Sequence, residues 1–328
     1  MSMQTTDLPA RIANKLKFHR VTRSLRHKSR VFADTSDFTS IDYGDILLVD
    51  NRYLLVTGYT KEGRFGVDEQ VKQWVPRTED LETGQKYIVK LVFHETFDIN
   101  FGQFSINCFR NPEKEARILE LVKGHPHFMQ GYSTLDHADN LVRILDIVMG
   151  TRLDRYIHRG PKSHEEYFSE KLPYILTQYL ECLRGISLLH KNGFRHGDIR
   201  RDHILVEYDT ELFRWIDFDY DFYLPEKPFG LDMYELGNLL IHLVGRGNFH
   251  AREILEHPEM GQNILNTIEE SDISLLSQNR IVNLMKLFPY IPDSLNNILM
   301  HFSKSAPVFY ETVDELCDDL ADAVALLN

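Results

Sequence analysis

Two acidic patterns near the middle of the chain constrain it most. The run Phe194-Arg195-His196-Gly197-Asp198-Ile199-Arg200-Arg201-Asp202-His203-Ile204-Leu205-Val206 follows a long stretch ending in Leu188-Leu189-His190, and it precedes Trp215-Ile216-Asp217-Phe218-Asp219. Apolar residues recur at helical spacing through Leu172–Lys191, and the runs ILVEY and FRWIDF read as short strands. Asp198 therefore falls on a loop after a helix, and Asp217 falls just after a short hairpin. Either these are two solvated loop acids or they are a working pair. As a pair, one carboxylate accepts a hydroxyl proton while the other holds Mg²⁺ against phosphates. Phosphoryl transfer needs such parts because its loose transition state is served by positioning and charge neutralisation.

This arrangement resembles the protein kinase superfamily, whose core reads H-x-D-x-x-x-x-N followed by D-F-G. Here it stands as HGDIRRDH and DFD. The resemblance implies that Asp198 is the catalytic base, that Arg200 sits where a lysine usually contacts the transferred phosphate, and that Asp217 binds the metal. Further motifs stand upstream in family order. Tyr87-Ile88-Val89-Lys90 looks like the third-strand V-A-I-K motif, whose lysine contacts the α- and β-phosphates. Glu115 sits where the partner glutamate of that lysine belongs, with Glu113 as a competitor. The other reading makes Lys90 a solvent-facing strand lysine and the glutamates an ordinary helix surface. Gly63-Arg64-Phe65-Gly66 looks like the second half of the phosphate-covering glycine-rich loop, or else a plain hairpin turn; the first glycine of that motif falls at Lys61. Asp146-Ile147-Val148-Met149-Gly150 resembles the hinge, so the backbone of Asp146 and Val148 is expected to pair with adenine. Asp232 resembles the buried aspartate that anchors the catalytic loop. The resemblance covers about residues 53–245.

Departures from the pattern shape the functional expectation. His203 replaces the asparagine that binds the second metal, and imidazole nitrogen suits softer ions than Mg²⁺. It is either a metal or phosphate contact or a packed loop histidine. Asp219 replaces the glycine of D-F-G and adds a carboxylate beside Asp217, with Asp221 a third. Gly197 replaces the arginine that usually pairs with a phosphorylated activation loop. Only 14 residues separate Asp217 from Asp232, so activity should not need loop phosphorylation. The HGD triplet and the short segment also resemble aminoglycoside- and choline-type kinases.

The remainder of the chain sets the organisation. Asp45–Val49, Tyr53–Tyr59, Gln70–Val75 and Lys86–Phe93 read as strands. Helices are expected over Glu113–Lys123, Met233–Val244, and near 262–287, 293–302 and 309–327. Strands first and helices later give an α+β, two-lobed, protein-kinase-like fold: a basic extension at 1–40, a β-rich lobe at 41–147 and a helical lobe at 148–328. Residues 8–33 hold eight lysines and arginines and no acid, whereas the chain carries −12 overall. Such an arm docks on its own acidic body, binds an anionic partner, or is a solvated tail. An acidic body without recurring aromatic–basic stacking argues against nucleic acid. No 18-residue apolar stretch or secretory signal is present, and three scattered cysteines suggest a reducing cytoplasm. The expectation is a cytoplasmic, bacterial phosphotransferase using ATP with Mg²⁺ or Mn²⁺. Its acceptor is first a protein Ser/Thr, alternatively a small-molecule hydroxyl. A nucleotide-binding pseudokinase is the third possibility, motivated by His203 and Asp219.

Overall fold

A computed structural model describes residues 2–3, 8–23, 28–64, 67–101, 104–256, 261–277, 279–306 and 309–327. The chain divides into two compact units, one formed by Met1–Glu95, Arg110–His125 and Met129–Val148, the other by Thr96–Phe109, Pro126–Phe128 and Met149–Asn328. The first is rich in strands and the second in helices, which is the α+β, two-part kinase-like plan expected.

The first unit holds β1 (Ser2–Met3), α1 (Ala10–Phe18), α2 (Arg20–Arg23), β2 (Val31–Phe32), β3 (Ile46–Val49), β4 (Arg52–Arg64), β5 (Val67–Asp80), β6 (Lys86–Lys90), α3 (Pro112–Leu121), β9 (Gly131–Leu135) and β10 (Leu141–Asp146). Its described strands form one sheet in the order β1-β2-β3-β4-β5-β6-β10-β9, antiparallel except for the β2–β3 pair. Asp50 and Asn51 both take positive φ, 52° and 57°, which closes β3 onto β4 by a tight turn. The central strands read ILLV and YLLV, apolar on both faces, so each face must be covered. Leu47, Val49, Leu54 and Val56 enter a core cluster with Val89, Leu91, Val142 and Ile144. On the opposite face Ile46, Leu55 and Leu81 pack against Ile12, Leu16, Val21 and Val31.

The basic segment is thus wedged into the unit by its apolar residues. Its charges add contacts at the rim. Arg11 pairs with Glu82, Lys15 Nζ donates to the Glu82 carbonyl at 2.5 Å, and Arg30 pairs with Asp45 at 2.5 Å. Exposed ion pairs contribute little, whereas each buried apolar side chain contributes about 1.5–3 kcal/mol. For Arg11 and Lys15 charge is therefore the smaller part; Arg30 differs, because the Asp45 carboxylate it meets is fully buried.

The second unit holds β7 (Thr96–Phe101), β8 (Phe104–Arg110), β11 (Gly150–Arg152), α4 (Leu153–Tyr156), α5 (His164–Glu170), α6 (Leu172–Lys191), β12 (Ile204–Glu207), β13 (Phe213–Trp215), β14 (Tyr220–Tyr223), α7 (Gly230–Val244), α8 (Ala251–Glu256), α9 (Gly261–Leu265), α10 (Asp293–Met300) and α11 (Val313–Ala325). Helix α6 is buried along Leu176, Tyr179, Leu183 and Ile186. Strands β11, β12 and β13 form a small antiparallel sheet beside the loop that follows α6. Two differences from the sequence reading stand out. Residues 96–109 form a hairpin that clusters with this unit, in the order β14-β8-β7, rather than with the lobe spanning 41–147. The helix expected near 262–287 is only α9 followed by short turns. There the Asp272 carboxylate accepts from Glu269 N, Asn283 and Lys286 at 2.6–2.8 Å, so side-chain bonds replace a helical ladder.

Ile12→Ala is expected to destabilise the protein by about 2–4 kcal/mol, and Arg11→Ala by less than about 1 kcal/mol, in urea unfolding. A larger effect of Arg11→Ala, abolished by salt, would mean that charge holds the segment instead.

Candidate functional site

The first group of predicted residues meets inside the sheet-rich unit. Lys90 ends β6 and lies directly opposite Arg143 of β10 in the antiparallel register. Strand alternation sends Val89 and Ile144 into the core cluster, so Lys90 and Arg143 share the other face. Helix α3 starts where Asn111 caps the Lys114 N–H at 2.9 Å with Pro112 in the first turn, a strong start signal. That start places Glu115 one turn in, fully buried, with Glu113 exposed. Lys90 Nζ donates to Glu115 Oε1 at 2.8 Å, and Arg143 Nε donates to Glu115 Oε2 at 3.2 Å. Arg143 Nη2 also donates to the Leu91 carbonyl at 3.2 Å. Glu115, not Glu113, is the lysine's partner.

Gly63 lies within β4; Phe65 and Gly66 lie outside the described residues. Asp146 is the exposed last residue of β10, its N–H bonded to the Gln130 carbonyl at 2.9 Å, and Val148 follows it half-buried. Asp146 is strand, Val148 lies between β10 and β11, and neither has a positive φ.

The second group meets inside the helical unit, on the loops after α6 and β13. Asp232, buried in α7, accepts the His196 N–H at 2.7 Å, the Gly197 N–H at 2.9 Å and the His190 Nε2 proton at 3.0 Å. Burial pushes its carboxyl up, but His190, His196 and the Gly197 N–H more than offset that and hold it below the ordinary value of 3.8. This clamp fixes the start of the HGD loop. His203 then reaches back: its Nδ1 lies 2.8 Å from the Asp198 carbonyl and 3.4 Å from Asp198 Oδ2, while Nε2 lies 3.8 Å from Asp217 Oδ2. Asp198, His203 and Asp217 are thereby brought together. A carbonyl only accepts, so in a neutral ring Nδ1 carries the proton and Nε2 turns its lone pair towards Asp217. Asp217 holds a φ of 64°, a conformation unusual for a non-glycine residue and frequent at working sites. Asp219 is buried two residues on. Arg200 is exposed and forms a two-pronged bond with Asp202, at 2.9 and 3.1 Å.

The sequence alone did not reveal how the chain compensates for Gly197. That residue has φ 84°, and a Cβ there would lie 1.9 Å from the Tyr220 carbonyl oxygen, so no arginine fits. The cation stands two positions earlier. Arg195 pairs with Asp221 of β14 at 2.8 Å, donates to the Pro228 carbonyl and lies over the Phe222 ring. The hairpin β7–β8 continues this sheet, and burial pushes its Cys108 thiol up to about 11, with the carboxylates of Asp198, Asp98 and Asp221 adding to the shift. The segment after Asp217 is therefore held by a strand pairing and a fixed ion pair.

Against known proteins, the family described as protein kinase domain matches residues 73–265, more than half of the 328. The chain belongs to the protein kinase domain family. It is 25% identical over 205 residues to the phosphorylase b kinase gamma catalytic chain, liver/testis isoform, of Bos taurus, covering 61% of this chain and 45% of that protein. It is 25% identical over 268 residues to the membrane-associated tyrosine- and threonine-specific cdc2-inhibitory kinase of Drosophila melanogaster, covering 73% of this chain and 45% of that protein. The chain spans about half the length of these relatives. Among solved structures, the kinase domain of Mycobacterium tuberculosis PknI aligns with a TM-score of 0.48 and 13% identity, over 87% of this chain and 100% of that chain.

Asp232→Asn is expected to cost about 2–4 kcal/mol at neutral pH, because an amide turns a donor towards N–H groups that need an acceptor. Its folded-state pKa is depressed, so the carboxylate's contribution is full above the ordinary value and fades as pH falls through the folded one. Urea unfolding at pH ~7 and pH ~3 should show the gap between the two proteins closing in acid; a constant gap would assign the effect to packing.

Proposed function

We propose that the chain is an ATP-dependent phosphotransferase that moves the γ-phosphate to a hydroxyl, with a protein Ser/Thr as the acceptor. The observation that carries this reading is the buried Lys90–Glu115 ion pair. Burying two charges stabilises a fold less than apolar residues of the same size would, so a lysine kept there calls for a use. Holding its ammonium ready for the nucleotide phosphates supplies that use.

The other roles follow by position. Asp198 accepts the proton of the acceptor hydroxyl, and the backbone of Asp146 and Val148 binds adenine. Gly63, Phe65 and Gly66 cover the phosphates. Arg200 leaves Asp202 to meet the transferred group. Asp217 and His203 would hold a divalent ion; Asp219, expected from the sequence as a third ligand, is not grouped with them. The donor set suits one: the Nε2 lone pair and an Asp217 oxygen face each other at 3.8 Å, two acceptors that a cation satisfies together. Among the described residues no three His, Cys, Asp and Glu side chains gather into a group that could hold a metal ion, so the protein would offer two ligands and phosphate and water the rest. When bound, the ion neutralises charge on the phosphates.

Arg195 and Asp221 support activity without loop phosphorylation, since the carboxylate stands in for a phosphate. The relatives named as protein kinases favour a protein acceptor over a small molecule. The three cysteines are buried and free, in keeping with a reducing cytoplasm, and no helix among the described residues is long and apolar enough to cross a membrane. The second reading, a nucleotide-binding pseudokinase, is favoured by the Arg200–Asp202 pairing and by His203 in place of asparagine.

Incubation with γ-labelled ATP and Mg²⁺ or Mn²⁺ separates the readings: label on protein supports transfer, and nucleotide binding without label or hydrolysis supports the pseudokinase. Asp217→Ala is expected to abolish metal-dependent nucleotide binding in a thermal-shift titration. Asp198→Ala should keep binding and lose about 10²–10⁴-fold of transfer. Equal loss of binding in both variants would contradict these roles.

The wild type is expected to prefer Mn²⁺ to Mg²⁺, because imidazole nitrogen suits the softer ion. His203→Asn should restore use of Mg²⁺. An unchanged preference would mean that the ring only orders the loop.

A further inference from the structure

We propose that Arg143 is a positioning residue: a standing counter-ion that keeps Glu115 and helix α3 in place while Lys90 engages phosphate. The proposal rests on the reading of Lys90 as a phosphate contact. Glu115 is fully buried, and its two oxygens are divided, Oε1 to Lys90 at 2.8 Å and Oε2 to Arg143 at 3.2 Å. Arg143 is itself 1% exposed and anchored to the Leu91 carbonyl at 3.2 Å, one residue beyond Lys90. It reaches the carboxylate from the strand position opposite Lys90.

Consider the carboxylate with Lys90 alone. An incoming phosphate would then compete with Glu115 for one ammonium, and any departure of Lys90 would leave a buried charge uncompensated, which is strongly unfavourable. Nucleotide affinity would be lowered by that competition. With Arg143 present the carboxylate keeps a partner whatever Lys90 does. The guanidinium is always charged and has a second donor fixed on backbone, so it does not follow the phosphate. Helix α3 is then latched to β6 and β10 by the chain itself, with no need of a modification or a partner.

The test is nucleotide affinity in Arg143→Met and Arg143→Lys, measured with a fluorescent ATP analogue and Mn²⁺, alongside far-UV circular dichroism to establish folding. Arg143→Met is expected to weaken binding about tenfold, and Arg143→Lys, which keeps a cation, less than about threefold. In a Glu115→Gln background Arg143→Met should have no further effect, since the carboxylate it serves is gone. A folded Arg143→Met protein that binds as the wild type does would overturn the proposal, as would the same tenfold loss in the Glu115→Gln background. Should Arg143→Met fail to fold, Arg143→Lys carries the test: affinity lost in folded Arg143→Lys to below a tenth of the wild type would overturn it. If the wild type binds no nucleotide, the functional reading fails on its own. The latch is then read by hydrogen exchange of amides 113–121, expected to quicken in the Arg143 variants and, if unchanged, refuting it.

Discussion

Glu115 is the carboxylate on which the sheet-rich unit turns. It is wholly buried, comes from a helix and is met by cations from two neighbouring strands. A buried charge tolerates little displacement, because a lost partner is not replaced by water. The pairing of β6 with β10, the cap at Asn111 and the start of α3 must therefore agree in register to within a residue. A one-residue slip of β10 would send Arg143 into the apolar cluster of Val89 and Ile144 and bring an aliphatic side chain to the carboxylate. The ion cluster contributes specificity of arrangement more than stability, and the apolar clusters on either side of the sheet supply the stability.

Asp232 does the corresponding work in the helical unit with backbone donors in place of cations. Three N–H groups converge on its carboxylate, two of them consecutive main-chain amides of the loop that carries Asp198. The loop's path is set by an acceptor on a rigid helix, and His203 fastens the far end to the Asp198 carbonyl. The result holds two acidic side chains near one imidazole without a disulfide or a long hydrophobic plug. Order of this kind is local and electrostatic, so it depends on a buried carboxylate that its donors keep ionised.

What the sequence disclosed follows from this division. Helix α6 could be read to the residue, Leu172–Lys191, because its apolar period is long and its partners are other helices. The Lys90–Glu115 pair was legible because both residues stand in recognisable runs. Arg143 was not: in Leu141-Val142-Arg143-Ile144-Leu145 it reads as a blemish in an apolar strand, and its partner is 28 residues away. A charged residue inside an otherwise buried strand was itself the signal, since such a charge survives only with a partner. The hairpin at 96–109 was also written in the chain, as Phe97, Ile99, Ile106 and Cys108 alternate with polar residues. Its place between the lysine strand and the next helix suits a plain connection equally well, and alternation does not say which strand it will join. The segment at 262–287 failed for the opposite reason. Its apolar residues were spaced for a helix, but Asp272 offered the backbone and Lys286 a competing set of bonds.

The hairpin and the Arg195–Asp221 pair bear on one question, how the segment beyond Asp217 is kept in order when it is only 14 residues long before Asp232. A short segment has little conformational entropy to lose, so modest contacts suffice to order it. Strand pairing with β8 and one partly buried ion pair are of that scale. The position where a phosphate-reading arginine stands in the family is closed by the Tyr220 carbonyl against Gly197. Loss of that arginine and gain of Asp221 are therefore one structural fact: the backbone passes too close for a side chain at 197, and the cation that orders the segment must come from 195. A glycine that by itself reads as a lost regulatory residue is the space that lets the alternative clamp form.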